Sequence, residues 1–136
     1  VNYLLDTNVC IALLNNDQAT VRTHFEDAVD AGSTIYVSTI VGFELWYGAS
    51  KSERQSRNKL RIESFFLAGV QTLPFDERDA REAGALRNEL QSIGKPIGPY
   101  DLLIAAQARA RDLVLVSHNV REFGRVAGLS MQDWEV

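Results

Sequence analysis

The sequence predicts an α/β domain, a three-layer α/β/α sandwich around a central, mostly parallel sheet. Short apolar runs alternate with segments of helical periodicity along the whole chain, a pattern that calls for right-handed βαβ crossovers and a sheet covered on both faces. The run LVLVS (113–117) places four consecutive apolar residues between a helical stretch and a polar one, as a buried strand does. The 136 residues, 46% hydrophobic and 24% charged, suffice for one globular domain, residues 1–136, with a core that needs no staples.

Taken in order, Val1–Leu5 reads as a buried strand, and a helix starts near Thr7 or Asn8 and runs through VCIALLNN. A second helix covers roughly Ala19–Ala31, with Val21, Phe25, Ala28 and Val29 on one face and Gly32 stopping it. TIYVS is the next strand, after which Ser38 or Thr39 caps the helix IVGFELWYGA. A helix from about Ser52 to Ala68 is basic early and apolar late. VQTLPF is a short strand closed by Pro74. Asp76 caps a long helix that Gly94 and Pro96 end, and Pro99 suits the first position of PYDLLIAAQARARD. LVLVS follows, with a last strand in GLSMQDW.

No internal repeat or low-complexity linker divides the chain. No apolar run reaches the roughly 18 residues of a membrane span, and no signal-peptide pattern is recognised. The single cysteine, Cys10, excludes an internal disulfide framework and a multi-cysteine zinc site; its apolar neighbours Val9 and Ile11 mark it as a small buried hydrophobe. A reducing, cytoplasmic setting is the expectation. The net charge of −4 argues against a general nucleic-acid coat. Its distribution is uneven: Lys51, Arg54, Arg57, Lys59 and Arg61 against Glu53 alone give one local basic arm on an acidic body. Such an arm suits contact with a polyanion at one place, or a solvated helix face.

Three acids stand out. Asp6 ends the first strand, Glu44 lies among Val41, Phe43, Leu45, Trp46 and Tyr47, and Asp101 opens a helix after Pro99 and Tyr100. Each has an ordinary reading. Asp6 can cap the following helix for about 1 kcal/mol, Asp101 suits a helix first turn, and Glu44 can pair with an arginine. Placed together at the carboxyl ends of strands, where open α/β sheets bind ligands, they would repel one another unless a hard divalent cation held them. Such an ion activates water and clamps a phosphoryl group.

Four blocks in order, LLDTNV, STIVGFELWYGA, IGPYDLLIAAQA and LVLVSHNVREFGRV, with the closing GLSMQDW, resemble the PIN-domain ribonucleases, and most of all the VapC-type toxins of bacterial toxin–antitoxin pairs. The resemblance covers nearly the whole chain and implies a PIN-like fold. It makes Asp6, Glu44 and Asp101 the ligands of Mg²⁺ or Mn²⁺. At the family's fourth acidic position stands Asn119, an amide without charge, which points to one tightly held ion; Glu122 is the nearby substitute. Asn8 and Ser117 match polar positions that orient a carboxylate or a water. His118 adjoins Asn119 but is set aside as a base, and His24 lies on a polar helix stretch.

The implied reaction is metal-dependent hydrolysis of phosphodiester bonds in RNA, tRNA foremost, leaving 5′-phosphate and 3′-hydroxyl ends. Lys51, Arg54, Arg57 and Arg61 are candidates for holding the RNA backbone. A cognate VapB-type antitoxin is expected to neutralise the site near Trp46 and Tyr47, in a hetero-oligomer built on a homodimer with interface residues from 40–47 and 62–67. Two rivals remain. An aspartate-nucleophile phosphatase wants a second Asp where Asn8 stands. A catalytically weak PIN-like or receiver-like α/β binding module is favoured only by Asn119.

Overall fold

The computed structural model describes residues 1–136 throughout. Five strands form one sheet in the order β3-β2-β1-β4-β5, and every neighbouring pair is parallel, the C-terminal strand included. The strands are β1 (Tyr3–Leu5), β2 (Ile35–Ser38), β3 (Gln71–Leu73), β4 (Val114–Val116) and β5 (Met131–Gln132). The helices are α1 (Thr7–Asn15), α2 (Ala19–Asp30), α3 (Thr39–Ser50), α4 (Gln55–Phe66), α5 (Glu77–Ser92), α6 (Pro99–Ala110) and α7 (Val120–Phe123).

The strand order explains where chemistry can gather. From β1 the chain winds outward through β2 and β3, then crosses back to β4 on the other side of β1. Neighbouring connections therefore diverge at the β1/β4 boundary and leave a crevice at the carboxyl ends of those strands. The polar residues Asp6, Ser38 and Ser117 sit at the ends of β1, β2 and β4, all buried.

The core is built from the predicted runs. Leu4, Leu5, Val37, Leu115 and Val116 of the sheet and Ala105, Ala106 and Ala108 of α6 are fully excluded from water. Burying a leucine side chain stabilises by roughly 2 kcal/mol, and the alanines let α6 approach the sheet closely. A polar strut locks α5 to α6: the buried Asp79 takes a forked pair from Arg111, Nε to Oδ1 at 2.9 Å and Nη2 to Oδ2 at 3.1 Å. Asp79 also closes a capping box with Asp76 at the start of α5.

Several predicted boundaries move. β1 begins at Tyr3, because Val1 and Asn2 lie beyond the paired register and are exposed. The basic helix begins at Gln55; residues 51–54 instead turn the chain out of α3, with the Ser52 hydroxyl accepting from the Arg54 amide. On α2, Val21, Phe25 and Ala28 are buried, but Val29 is 41% exposed and lies off that face. Gly32 and Gly94 close α2 and α5 with positive φ, a conformation cheap only without a Cβ.

Candidate active site

Asp6 performs the ordinary role and leaves room for another. Its Oδ1 accepts from the Val9 amide at 2.9 Å, capping α1. Burial pushes its carboxyl above the ordinary value, while the Ser117 hydroxyl and the Val9 amide pull it back. Ser117 thus lies where the sequence placed it, against this carboxylate, and its hydroxyl also accepts from the Asn119 amide at 2.9 Å.

Glu44 projects from α3 toward the same edge, where its Oε1 accepts from the Thr7 hydroxyl at 2.7 Å. That bond joins the first turn of α1 to α3 and fixes the Glu44 carboxylate. Thr7 was not singled out in the sequence; its signal was a β-branched hydroxyl residue beside Asp6. Asn8, expected to orient a carboxylate or a water, is exposed and makes no side-chain hydrogen bond, because a helical step of about 100° turns it away from the side that Thr7 presents.

Asp101 lies in the first turn of α6, half-buried. Its carboxyl is pushed up to about 6, first by burial and then by the negative charges of Glu122, Asp6 and Glu44. The predicted acids therefore share one electrostatic site, and Glu122 belongs to it. Glu122 Oε1 accepts from the Gly98 amide at 2.7 Å and Oε2 from the Asn119 side-chain amide at 3.2 Å, which hold its carboxyl below the usual range. Asp101 Oδ2 and Glu122 Oε1 both lie 3.7 Å from the point where a Cβ on Gly98 would sit. Asn119 contributes no charge; it steadies the carboxylate one helical turn further on.

The other candidates sort themselves by position. His118 is exposed and donates or accepts at 2.9 Å with Asp133, with Glu135 at 3.5 Å, so it ties down the C-terminal segment; the bond to Asp133 raises its pKa. His24 stacks on Trp134. Cys10 is fully buried, and burial, helped by the charge of Asp6, pushes its thiol well above the ordinary value, so it stays protonated. In the basic arm, Arg54 and Arg57 are exposed, but Arg61 is committed to structure: its guanidinium donates to the Leu14 carbonyl and, at 3.0 Å, to Asn15 Oδ1. Arg61 is therefore withdrawn from the RNA-binding group. Lys51 caps α3 and sits over the Tyr47 ring.

Four carboxylates at one edge, none in a salt bridge and only Glu122 under the pull of a nearby cation, Arg125, are an unfavourable arrangement by themselves. Asp6, Glu44, Asp101 and Glu122 offer only carboxylate oxygens, a chemistry that suits Mg²⁺ or Mn²⁺ and not a thiophilic metal, while the three acid and imidazole groups whose ligand atoms lie within 4.8 Å of one another are those of His118, Asp133 and Glu135.

A family model described as the PIN domain matches residues 3–129. The chain is 40% identical over 134 residues to the tRNA(fMet)-specific endonuclease VapC of Shigella flexneri, covering 98% of each. The chain belongs to the PIN-domain family, in its VapC group. It is 35% identical over 133 residues to Ribonuclease VapC2 of Rickettsia felis, again covering 98% of each. Among solved structures of PIN domains, its fold is similar to the crystal structure of VapBC2 from Rickettsia felis bound to a promoter DNA fragment. That match has a TM-score of 0.92 and 34% identity, and covers 98% of this chain and 99% of that one. The DNA-bound VapBC of Salmonella typhimurium gives a TM-score of 0.90 at 37% identity, with 98% of each chain covered.

Proposed function

We propose that this chain is a metal-dependent endoribonuclease toxin that hydrolyses phosphodiester bonds in RNA, with tRNA as its substrate class. The reading rests on Asp6, Glu44, Asp101 and Glu122 standing along one sheet edge, near enough for the other three charges to raise the Asp101 carboxyl, in a chain whose relatives over its full length are named ribonucleases. When bound, Mg²⁺ or Mn²⁺ supplies positive charge beside the phosphoryl oxygens and makes water easier to deprotonate. Asp6, Asp101 and Glu122 would hold it. Glu44, fixed by Thr7, is placed to share the ion or to orient the attacking water. Ser117 and Asn119 keep Asp6 and Glu122 in position. Attack by water, in place of the ribose 2′-hydroxyl, leaves a 5′-phosphate and a 3′-hydroxyl.

The partner would be a VapB-type antitoxin, in a hetero-oligomer built on a homodimer. A cleft of about 180 Å³ between α1, α3 and α4, lined by Ile11, Leu14, Glu44, Leu45, Arg61 and Ile62, opens beside Glu44 and suits an apolar segment that carries a cation to the carboxylates. We place the activity in the cytoplasm, where tRNA is; no helix is long and apolar enough to cross a membrane.

The test pairs metal binding with cleavage. Wild-type protein should bind Mn²⁺ in a calorimetric titration and cut tRNA only when the metal is present. Asp101→Ala should lose both while its circular dichroism stays unchanged. Full cleavage by a well-folded Asp101→Ala protein would refute the site.

A further inference from the structure

His118, Asp133 and Glu135 bring an imidazole nitrogen and two carboxylate oxygens within 4.8 Å of one another. His118 follows β4 and the two acids follow β5, and the parallel pairing of Val116 with Gln132 sets those strand ends side by side. The Ser117 amide extends that pairing by donating to the Gln132 carbonyl at 3.0 Å. The segment that carries the acids is anchored by Trp134, which is buried, packs edge-on against Tyr3 and donates from Nε1 to Gln132 Oε1 at 3.0 Å. The Asp133 carboxylate is oriented too: its Oδ1 accepts from the Glu135 amide at 2.9 Å, while Oδ2 faces the imidazole. Strand pairing and an aromatic anchor thus preorganise all three groups.

An imidazole–carboxylate pair accounts for only part of this arrangement. His118 Nδ1 lies 2.9 Å from Asp133 Oδ2 and 3.5 Å from Glu135 Oε2, and the one proton that Nδ1 can carry is used on Asp133. The Glu135 carboxylate receives no hydrogen bond from the protein, and neither acid pairs with a lysine or an arginine. Two negative charges therefore face a single nitrogen. The charge of Glu135 also reaches Asp6, whose carboxyl is raised first by burial and in part by Glu135.

We propose that these residues form a second metal site, which takes a borderline divalent cation such as Zn²⁺ and fastens the end of β5 to the end of β4. The ion replaces the proton between His118 and Asp133, which passes to solvent. A neutral imidazole and two carboxylates then balance the ion's two positive charges. Ligand atoms about 2.0–2.2 Å from one zinc ion stand roughly 3.3–3.6 Å apart at tetrahedral angles, close to the 2.9 and 3.5 Å separations here. Ligation through Nδ1 puts the ring proton on Nε2, and the 62% exposure of the His118 side chain gives water access to the ring. The imidazole distinguishes this site from the carboxylate centre, because it favours zinc-like cations where carboxylates alone suit Mg²⁺ or Mn²⁺. The proposal stands independently of the ribonuclease reading.

The test strips the full chain with EDTA, removes the chelator, and titrates Zn²⁺ near neutral pH by calorimetry and by NMR of the imidazoles, of which the chain has two. Zn²⁺ should shift the ring signals of His118 and leave those of His24 in place. His118→Asn, Asp133→Asn and Glu135→Gln should each lower Zn²⁺ affinity by at least the roughly 10- to 100-fold that losing a residue behind a metal ligand costs. Asp101→Asn, at the carboxylate centre, should keep this site, and excess Mg²⁺ should not displace the ion from it. A His118 signal that Zn²⁺ does not move would overturn the proposal, and that readout needs no variant. So would wild-type Zn²⁺ affinity in His118→Asn. Loss of the Zn²⁺ site in Asp101→Asn would overturn it as well, since the ion would then sit among the four carboxylates.

Discussion

Replacing Asp101 by Asn isolates the electrostatic conflict of the site with no substrate present. The Asp101 carboxyl has its pKa raised from 3.8 to about 6 by burial and by Glu122, Asp6 and Glu44. A group that binds its proton more tightly when folded favours the folded state at low pH and opposes it once pH climbs from about 4 through about 6. At 1.36 kcal/mol per pKa unit the cost above that window would be about 3 kcal/mol for a fully buried acid. Asp101 is only half-buried, and solvent screening reduces the figure to roughly 1.5 kcal/mol. Asparagine keeps the shape and removes the charge. Urea unfolding in EDTA near pH 7.5 should therefore find Asp101→Asn more stable by about 1.5 kcal/mol, and at about pH 4 the gap should close. Added Mn²⁺ should reverse the order, because wild type gains about 2.7 kcal/mol at a hundredfold excess over Kd and the variant gains less. A destabilised variant near neutral pH in EDTA, or a gap that ignores pH, would refute the reasoning.

Arg111→Leu would leave the buried Asp79 without a cation, with only the Gln107 side chain and the Asp76 amide still donating to it, so urea unfolding should register a loss of about 3 kcal/mol, with Asp79→Asn recovering part of it. A loss under about 1 kcal/mol would mean that the pair behaves like a surface bridge. For the basic arm, the double variant Arg54→Gln/Arg57→Gln should lower the slope of log affinity for single-stranded RNA against log salt by roughly 1.4, at about 0.7 per phosphate contact. An unchanged slope would take the arm out of the RNA interface.

Most of the architecture was legible because local signals agreed with one another. Apolar runs gave β1, β2 and β4, while Asp76, Pro99, Gly32 and Gly94 marked helix ends at the positions where the backbone needs a cap, a fixed φ or a positive φ. The sequence order of strands and helices also sufficed for a parallel sheet, and it placed Asp6 at the carboxyl end of β1. What the one-dimensional pattern could not carry was direction at the resolution of a side chain. Thr7 and Asn8 are adjacent, both polar, and one and two residues from Asp6 in sequence. Only the rotation of α1 against α3 decides that Thr7 reaches Glu44 and Asn8 faces water. Arg61 counted as one free positive charge among five until the packing of α4 on α1 assigned its guanidinium to Leu14 and Asn15. Glu122 stood in sequence only as a nearby substitute for the absent fourth acid, and the short α7 turns it toward the Gly98 amide and Asp101. Residue type and spacing thus determined which groups are present and at which edge of the sheet. Which of them touch was settled by the relative placement of helices distant along the chain, since hydrogen bonds and charge–charge interactions depend on separations of a few ångströms that no local pattern encodes.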